Sequence, residues 1–153
     1  VSEDVLDEAI KNKFDLIVDG TLKDTKKALD RIEKLVNAGY EVHVIGICVT
    51  PEESWAGCEK RYNLEKTSEV GHGRWVPKEV HDEAIDSMVI SLIEIQLQGK
   101  VETLTIEIRG RTELHKSFPK TETPKERKSA VKNLIQTFIK YGERKKTIGK
   151  DYI

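Results

Sequence analysis

FDLIVDGTLKDTKKALDRIEKLVNAG, Phe14 to Gly39, decides the fold. Phe14 to Val18 is a short apolar run with β-branched members and reads as a strand. Asp19-Gly20-Thr21 breaks it. From Asp24 to Ala38, the residues Ala28, Leu29, Ile32, Leu35 and Val36 share one helical face. Asp24 suits an N-cap, and Gly39 suits the end. Glu41 to Val49, EVHVIGICV, then reads as a second strand, apolar enough to be buried on both faces. Strand, helix and strand in this order predict a βαβ unit.

Working outward, Ser2-Glu3-Asp4 before Val5, Leu6, Ala9 and Ile10 predicts a helix, ended by Asn12 and Lys13. Thr50-Pro51-Glu52-Glu53 opens another, with Thr50 as cap and Pro51 in the first helical position. It carries Trp55, Cys58, Arg61 and Tyr62 and fades near Ser68. A glycine-bearing loop, Val70 to Val76, precedes a long helix from Pro77 to about Gln98. Val101 to Arg109 alternates from Leu104 onward, as a half-exposed strand near a sheet edge would. Gly110 to Thr123 reads as a polar loop. Pro124 begins a last helix that Gly142 stops. The expectation is an α/β domain of three layers with a mainly parallel sheet over residues 1–142, and a basic, fraying tail over 143–153.

The 153 residues suffice for one domain with a real core. Twenty-six basic and 27 acidic residues leave a formal net charge of -1, which argues against a dominant nucleic-acid or membrane role. Apolar runs fall short of the ~20 residues of a membrane span. No signal peptide is visible, and a cytoplasmic location is expected. Cys48 and Cys58 make neither a disulfide framework nor a zinc set, and Cys48 reads as a small buried hydrophobe. The chain opens at Val1 directly on a helix, which reads as a piece of something longer.

No G-x-x-x-x-G-K-[ST] and no G-x-G-x-x-G after a strand occur. The Gly71-His72-Gly73 triplet follows a helix and is a loop. A G-x-S-x-G elbow is absent. His43, His72, His81 and His115 lack metal-ligand spacing. Four polar features remain. Asp19 and Thr21 sit where a strand ends, the usual place for a ligand in an α/β sheet, yet they could equally cap the following helix. Lys23 could face an anion or water. Arg61 is a surface or aromatic-stacked arginine, or a phosphate ligand. Arg74 lies in a glycine-flanked loop between two helices. Two arginines there suit a lid over phosphates, where guanidinium groups stabilise a transferring phosphoryl group.

The ordered set Asp19-Gly20-Thr21-Leu22-Lys23, Gly39-Tyr40, Arg61-Tyr62 and Arg74-Trp75-Val76-Pro77-Lys78-Glu79-Val80-His81-Asp82 resembles the zeta-toxin group of P-loop kinases. The family pattern runs E-G-T-x-R, G-Y, R-Y and an arginine before x-x-P-x-x-x-H-D. The resemblance covers roughly residues 14–95. It implies a P-loop NTPase-like fold and transfer of the ATP γ-phosphate, with Mg²⁺, to UDP-N-acetylglucosamine or a similar nucleotide sugar. By position it implies that Asp19 and Thr21 bind the acceptor, that Lys23 assists, and that Arg61 and Arg74 embrace the transferred phosphate. Asp19 stands for the family's glutamate and Lys23 for its arginine. Arg31 stands where threonine is common.

In this family the phosphate-binding loop, its strand and the catalytic aspartate come before the part that this sequence matches. That loop-bearing strand lies between the strands corresponding to Phe14–Val18 and Val42–Val49. The resemblance therefore implies an incomplete domain, inactive alone, whose two strands flank a slot. Either a missing N-terminal segment fills it, or the chain closes it by pairing differently, through direct pairing of the two strands or through an oligomer partner. Two other readings stay open: a non-catalytic kinase-like module binding a protein or an anion, and a kinase of another acceptor such as a nucleoside, an antibiotic or a polynucleotide end.

Overall fold

A computed structural model describes residues 3–68, 71, 73–146 and 148–152. Ser2 of the first helix start, and Val70 and His72 of the glycine-bearing loop, lie outside the described residues. Five α-helices and three strands follow in the order α1 (Glu3–Lys11), α2 (Thr25–Asn37), β1 (His43–Cys48), α3 (Pro51–Lys66), α4 (Lys78–Gln98), β2 (Thr103–Ile108), β3 (Lys116–Pro119) and α5 (Pro124–Tyr141). Short 3₁₀ turns occupy Thr112–Leu114 and Lys150–Tyr152.

Local chemistry sets the helix ends. Asp24 caps α2 by accepting the Lys27 N–H at 3.0 Å. Gly39 turns the chain away with φ 89°, a left-handed conformation that costs glycine little. Thr50 and Glu53 form a reciprocal capping box before α3, as do Thr123 and Glu126 before α5. Gly99 ends α4 in the left-handed region.

The sheet order is β1-β2-β3. β1 runs parallel to β2, with His43 opposite Thr103 and Cys48 opposite Ile108. β2 runs antiparallel to β3, with Leu104 opposite Phe118. The sheet is thus mixed, and the expected half-exposed edge strand is its middle member. β2 does bury one face only: Leu104, Ile106 and Ile108 point inward and Thr103, Thr105 and Glu107 are half-exposed. β3 forms inside the segment read as a polar loop. Its sole buried residue is Phe118, too little apolar signal to register as alternation.

One face of the sheet packs on α4 and α5. Cys48, Leu104, Ile106, Ile108 and Phe118 meet Val89, Leu92 and Ile93 of α4 and Val131, Leu134, Ile135 and Phe138 of α5. A Cβ at Gly46 would stand 2.8 Å from Leu92 Cδ1 and 3.0 Å from Ile106 Cδ1, so those side chains would have to shift. The opposite face carries Ile45 and Ile47, both exposed, so helices cover one face and the arrangement has two layers instead of three. β1 is likewise not buried on both faces.

The expected strand Phe14–Val18 does not form: residues 14–18 belong to no strand, and Ile17 is 98% exposed. The segment keeps an extended alternation, with Leu16 and Val18 half-buried and Asp15, Ile17 and Asp19 exposed. A strand exists only where a neighbour completes its hydrogen bonds, and the nearest strand, β1, pairs only with β2. The βαβ unit expected over residues 14–49 is therefore replaced by the parallel pair β1 and β2, joined through α3 and α4.

The tail also differs from expectation. Ile148 and Tyr152 pack against the core, Arg144 is 5% exposed, and the Tyr152 hydroxyl donates to Glu94 at 2.5 Å. That bond and burial push the Tyr152 phenol up to about 12. Among the described residues no helix is long and apolar enough to cross a membrane.

Candidate active site

Between β1 and residues 16–24 lies a cleft of about 820 Å³. Its floor is the apolar face of α2, namely Ala28, Ile32 and Leu35. Leu16 and Val18 line one wall, and Val42, Val44 and Ile45 the other. Asp19, Gly20, Thr21 and Lys23 rim it, with Arg31, Tyr40 and His43.

The turn bearing Asp19, Thr21 and Lys23 is held from below. Ser91, fully buried in α4, donates to the Leu22 carbonyl at 2.6 Å and meets Thr25 Oγ1 at 2.8 Å. Leu22 has φ 52°, an uncommon left-handed conformation for a side-chain-bearing residue. Such a conformation persists only where its surroundings enforce it, and Ser91 and Thr25 supply that enforcement. Lys23 pairs with Glu83 of α4 at 2.8 Å. Capping falls to Asp24 through its bond to Lys27, so the side chains of Asp19 and Thr21 are exposed and unspent on the helix.

Arg31 reaches the cleft from α2. Its Nη2 donates to Glu3 at 2.9 Å, while its buried Nε has no partner among the described residues. The Arg31 hydrogen bond lowers the Glu3 carboxyl below its ordinary range. Tyr40 closes the near end, its hydroxyl donating to the Phe14 carbonyl at 3.0 Å.

Arg61 and Arg74 do not line this cleft. Arg61 projects from α3, a helix with no buried residue. Arg74 lies between α3 and α4. Its backbone N–H donates to Glu65 Oε2 at 2.8 Å. Both side chains are exposed, and neither forms an ion pair with a described residue.

An aromatic cluster, invisible as such in the sequence, fixes this second region. Trp75 stands edge-on to Trp55 at 5.7 Å and to Tyr62 at 5.1 Å between ring centroids. Trp55 in turn meets His81 of α4 at 5.3 Å. His81 is buried and bonds both ways, Nε2 with Ser54 Oγ and Nδ1 with Asp82 Oδ1, each at 2.9 Å. That bond, with Lys78 alongside, holds the Asp82 carboxyl below its ordinary value. Gly73 lies so close to Tyr62 that a Cβ would stand 2.5 Å from the Tyr62 carbonyl oxygen. Residues 73–75, the described part of the loop before α4, therefore pack on α3. α4 links the two regions, carrying His81 for the aromatic cluster and Glu83 and Ser91 for the turn.

The donor set fits part of what a nucleotide triphosphate requires. Free guanidinium groups suit phosphate oxygens. No group of three or more His, Cys, Asp or Glu that could hold a metal ion occurs among the described residues. Cys48, at the carboxyl end of β1, is buried, and burial pushes its thiol up to about 11, so it is no nucleophile.

The sequence pattern of the zeta toxin family matches residues 1–118. Toxin PezT of Streptococcus pneumoniae is 25% identical over 131 residues, covering 86% of this chain and 49% of that protein. The chain thus spans about half the length of this curated relative. A match over more than three quarters of the residues, from the first helix through the cleft and both arginines to β3, makes this chain a member of the zeta-toxin family.

Proposed function

We propose that this chain supplies the acceptor wall and the phosphate-binding arginines of an ATP-dependent small-molecule kinase. Asp19 and Thr21 hold the acceptor, a nucleotide sugar such as UDP-N-acetylglucosamine or a similar metabolite, and Lys23 assists at the same rim. Arg61 and Arg74 neutralise the phosphoryl group in transfer. ATP and Mg²⁺ are the co-substrates of the complete site. The phosphate cradle, the metal ligands and the base for the acceptor hydroxyl come from polypeptide other than residues 1–153, so this chain alone does not turn over.

The observation that carries this reading is the freedom of Asp19 and Thr21. A strained turn, braced by Ser91, presents both on the rim of a large cleft while Asp24 does the capping. Cost without structural return points to a ligand. The cleft is also where the partner segment enters. Val42 and Cys48 carbonyls accept from Glu102 and Arg109 of the β2 side, so the alternate residues His43, Ile45 and Ile47 turn their backbone groups to the cleft. This edge lacks the charges and prolines that protect natural edges. Its occupant is one extended apolar strand from polypeptide outside residues 1–153, and the relative's doubled length gives a source for it. The exposed edge and the open sheet face also favour the second reading, a non-catalytic kinase-like module that binds a partner.

Titration of the isotopically labelled chain with UDP-N-acetylglucosamine tests the acceptor assignment. Amide shifts at Asp19, Thr21 and Lys23, with no ATP turnover by the chain alone, are expected. Turnover by the chain alone, or shifts that avoid this turn, would count against it. Sedimentation of the chain as a dimer would make a second copy the occupant of the cleft.

A further inference from the structure

Arg109 plays no part in the site as assigned so far. It follows β2, the middle strand, and its N–H donates to the Cys48 carbonyl at 2.9 Å. It therefore stands at the shared carboxyl end of the two parallel strands, the end at which α/β sheets take ligands. Its side chain is exposed and forms no ion pair with a described residue.

The guanidinium lies against α3 at Gly57. A Cβ built there would stand 3.5 Å from Arg109 Nη1 and 3.7 Å from Nη2. Gly57, Arg61 and Glu65 follow one another at i, i+4 and i+8 on α3, so they share a ridge, about 6 Å apart along the axis. Glu65 holds the Arg74 backbone at the far end of that ridge. Arg109 thus meets α3 about one turn before Arg61, and the Arg74 backbone meets it about one turn after.

No ion pair to a described carboxylate neutralises any of the three. Unpaired guanidinium groups suit phosphate oxygens, and several of them fit several linked phosphates better than one.

We infer that Arg109 is a third phosphate-binding arginine, which joins Arg61 and Arg74 in gripping the di- or triphosphate chain of a nucleotide along the α3 ridge. This rests on the kinase reading, and it adds a grip on the phosphates beyond the one transferred. The aromatic cluster holds the Arg74 backbone beside α3, and the β1–β2 pairing holds that of Arg109.

Inorganic triphosphate is the probe, added to the labelled chain while the arginine Nε–Hε signals are followed. Those of Arg61, Arg74 and Arg109 should move together with one affinity. Arg109→Ala should weaken binding about tenfold, the scale of one charge-assisted contact. Arg111→Ala removes the same charge two residues away and should change affinity by less than about twofold, the scale of a screened exposed charge. Both sites are exposed, and circular dichroism checks that each variant stays folded. An unmoved Arg109 signal, or equal losses from the two variants, overturns the inference. Movement of Arg61 and Arg74 alone would do so while leaving the kinase reading intact. Silence of all three would overturn the α3 ridge as a phosphate site, and the acceptor titration would then judge the kinase reading separately.

Discussion

The two edges of β1 behave as opposites. On one side its groups pair with β2, and its inward side chains enter a core shared with α4 and α5. On the other edge residues 14–18 run past without pairing, and the outer face beside it carries exposed Ile45 and Ile47. Both sides draw on the same apolar strand, so apolarity does not separate them. What separates them is whether a partner is present for the backbone. A finished half gains stability from burial, and an open half holds its shape through a few polar ties such as Tyr40 to Phe14 and Ser91 to Leu22.

Substitutions should separate the halves sharply. Phe138→Ala, in the finished half, should cost about 3–5 kcal/mol in chemical denaturation, through lost transfer energy and a cavity. Ile45→Ala should stay within about 0.5 kcal/mol, because its side chain is 64% exposed. Comparable losses would mean that the cleft is closed in solution.

Gly73→Ala should cost about 1–3 kcal/mol by overpacking against Tyr62. It should also raise the tryptophan emission wavelength as Trp75 leaves its neighbours. Asp24→Ala should cost about 1 kcal/mol through the lost cap, with Asp19→Ala nearly neutral in the same melt. Equal costs would return Asp19 to a capping role.

The smallest effect concerns pH. Asp82 and Glu126 have carboxyls lowered by hydrogen bonds, Asp82 chiefly by His81 and Glu126 by the Thr123 backbone. Their contribution is present above the ordinary values of 3.8 and 4.5 and is lost as pH falls through the lower folded values. Thermal melts between about pH 5 and about pH 3 should therefore fall in Tm, and Asp82→Asn and Glu126→Gln should each flatten part of that fall.

Much of the fold was legible because local chemistry wrote it. Thr50-Pro51, Asp24 and Gly39 mark helix ends whatever surrounds them, and the helices lie where those residues put them. Strands were less legible, since a strand is a relation between segments. Phe14–Val18 has the composition of a strand and pairs with none among the described residues. Lys116–Pro119 has little of that composition and pairs with β2. The turn at Asp19 to Lys23 was visible as a site, but its brace was not, because Ser91 lies 69 residues from Leu22. Arg61 and Arg74 were visible, whereas the place of Arg109 beside α3 needed the α3 ridge and the β2 terminus together.

Hydrogen exchange along β1 tests the open edge most directly. The account predicts alternation: the Val44, Gly46 and Cys48 amides, facing β2, are protected, and those of Ile45 and Ile47 exchange quickly. Uniform protection across His43 to Cys48 would contradict it, since the cleft edge would then already have its strand.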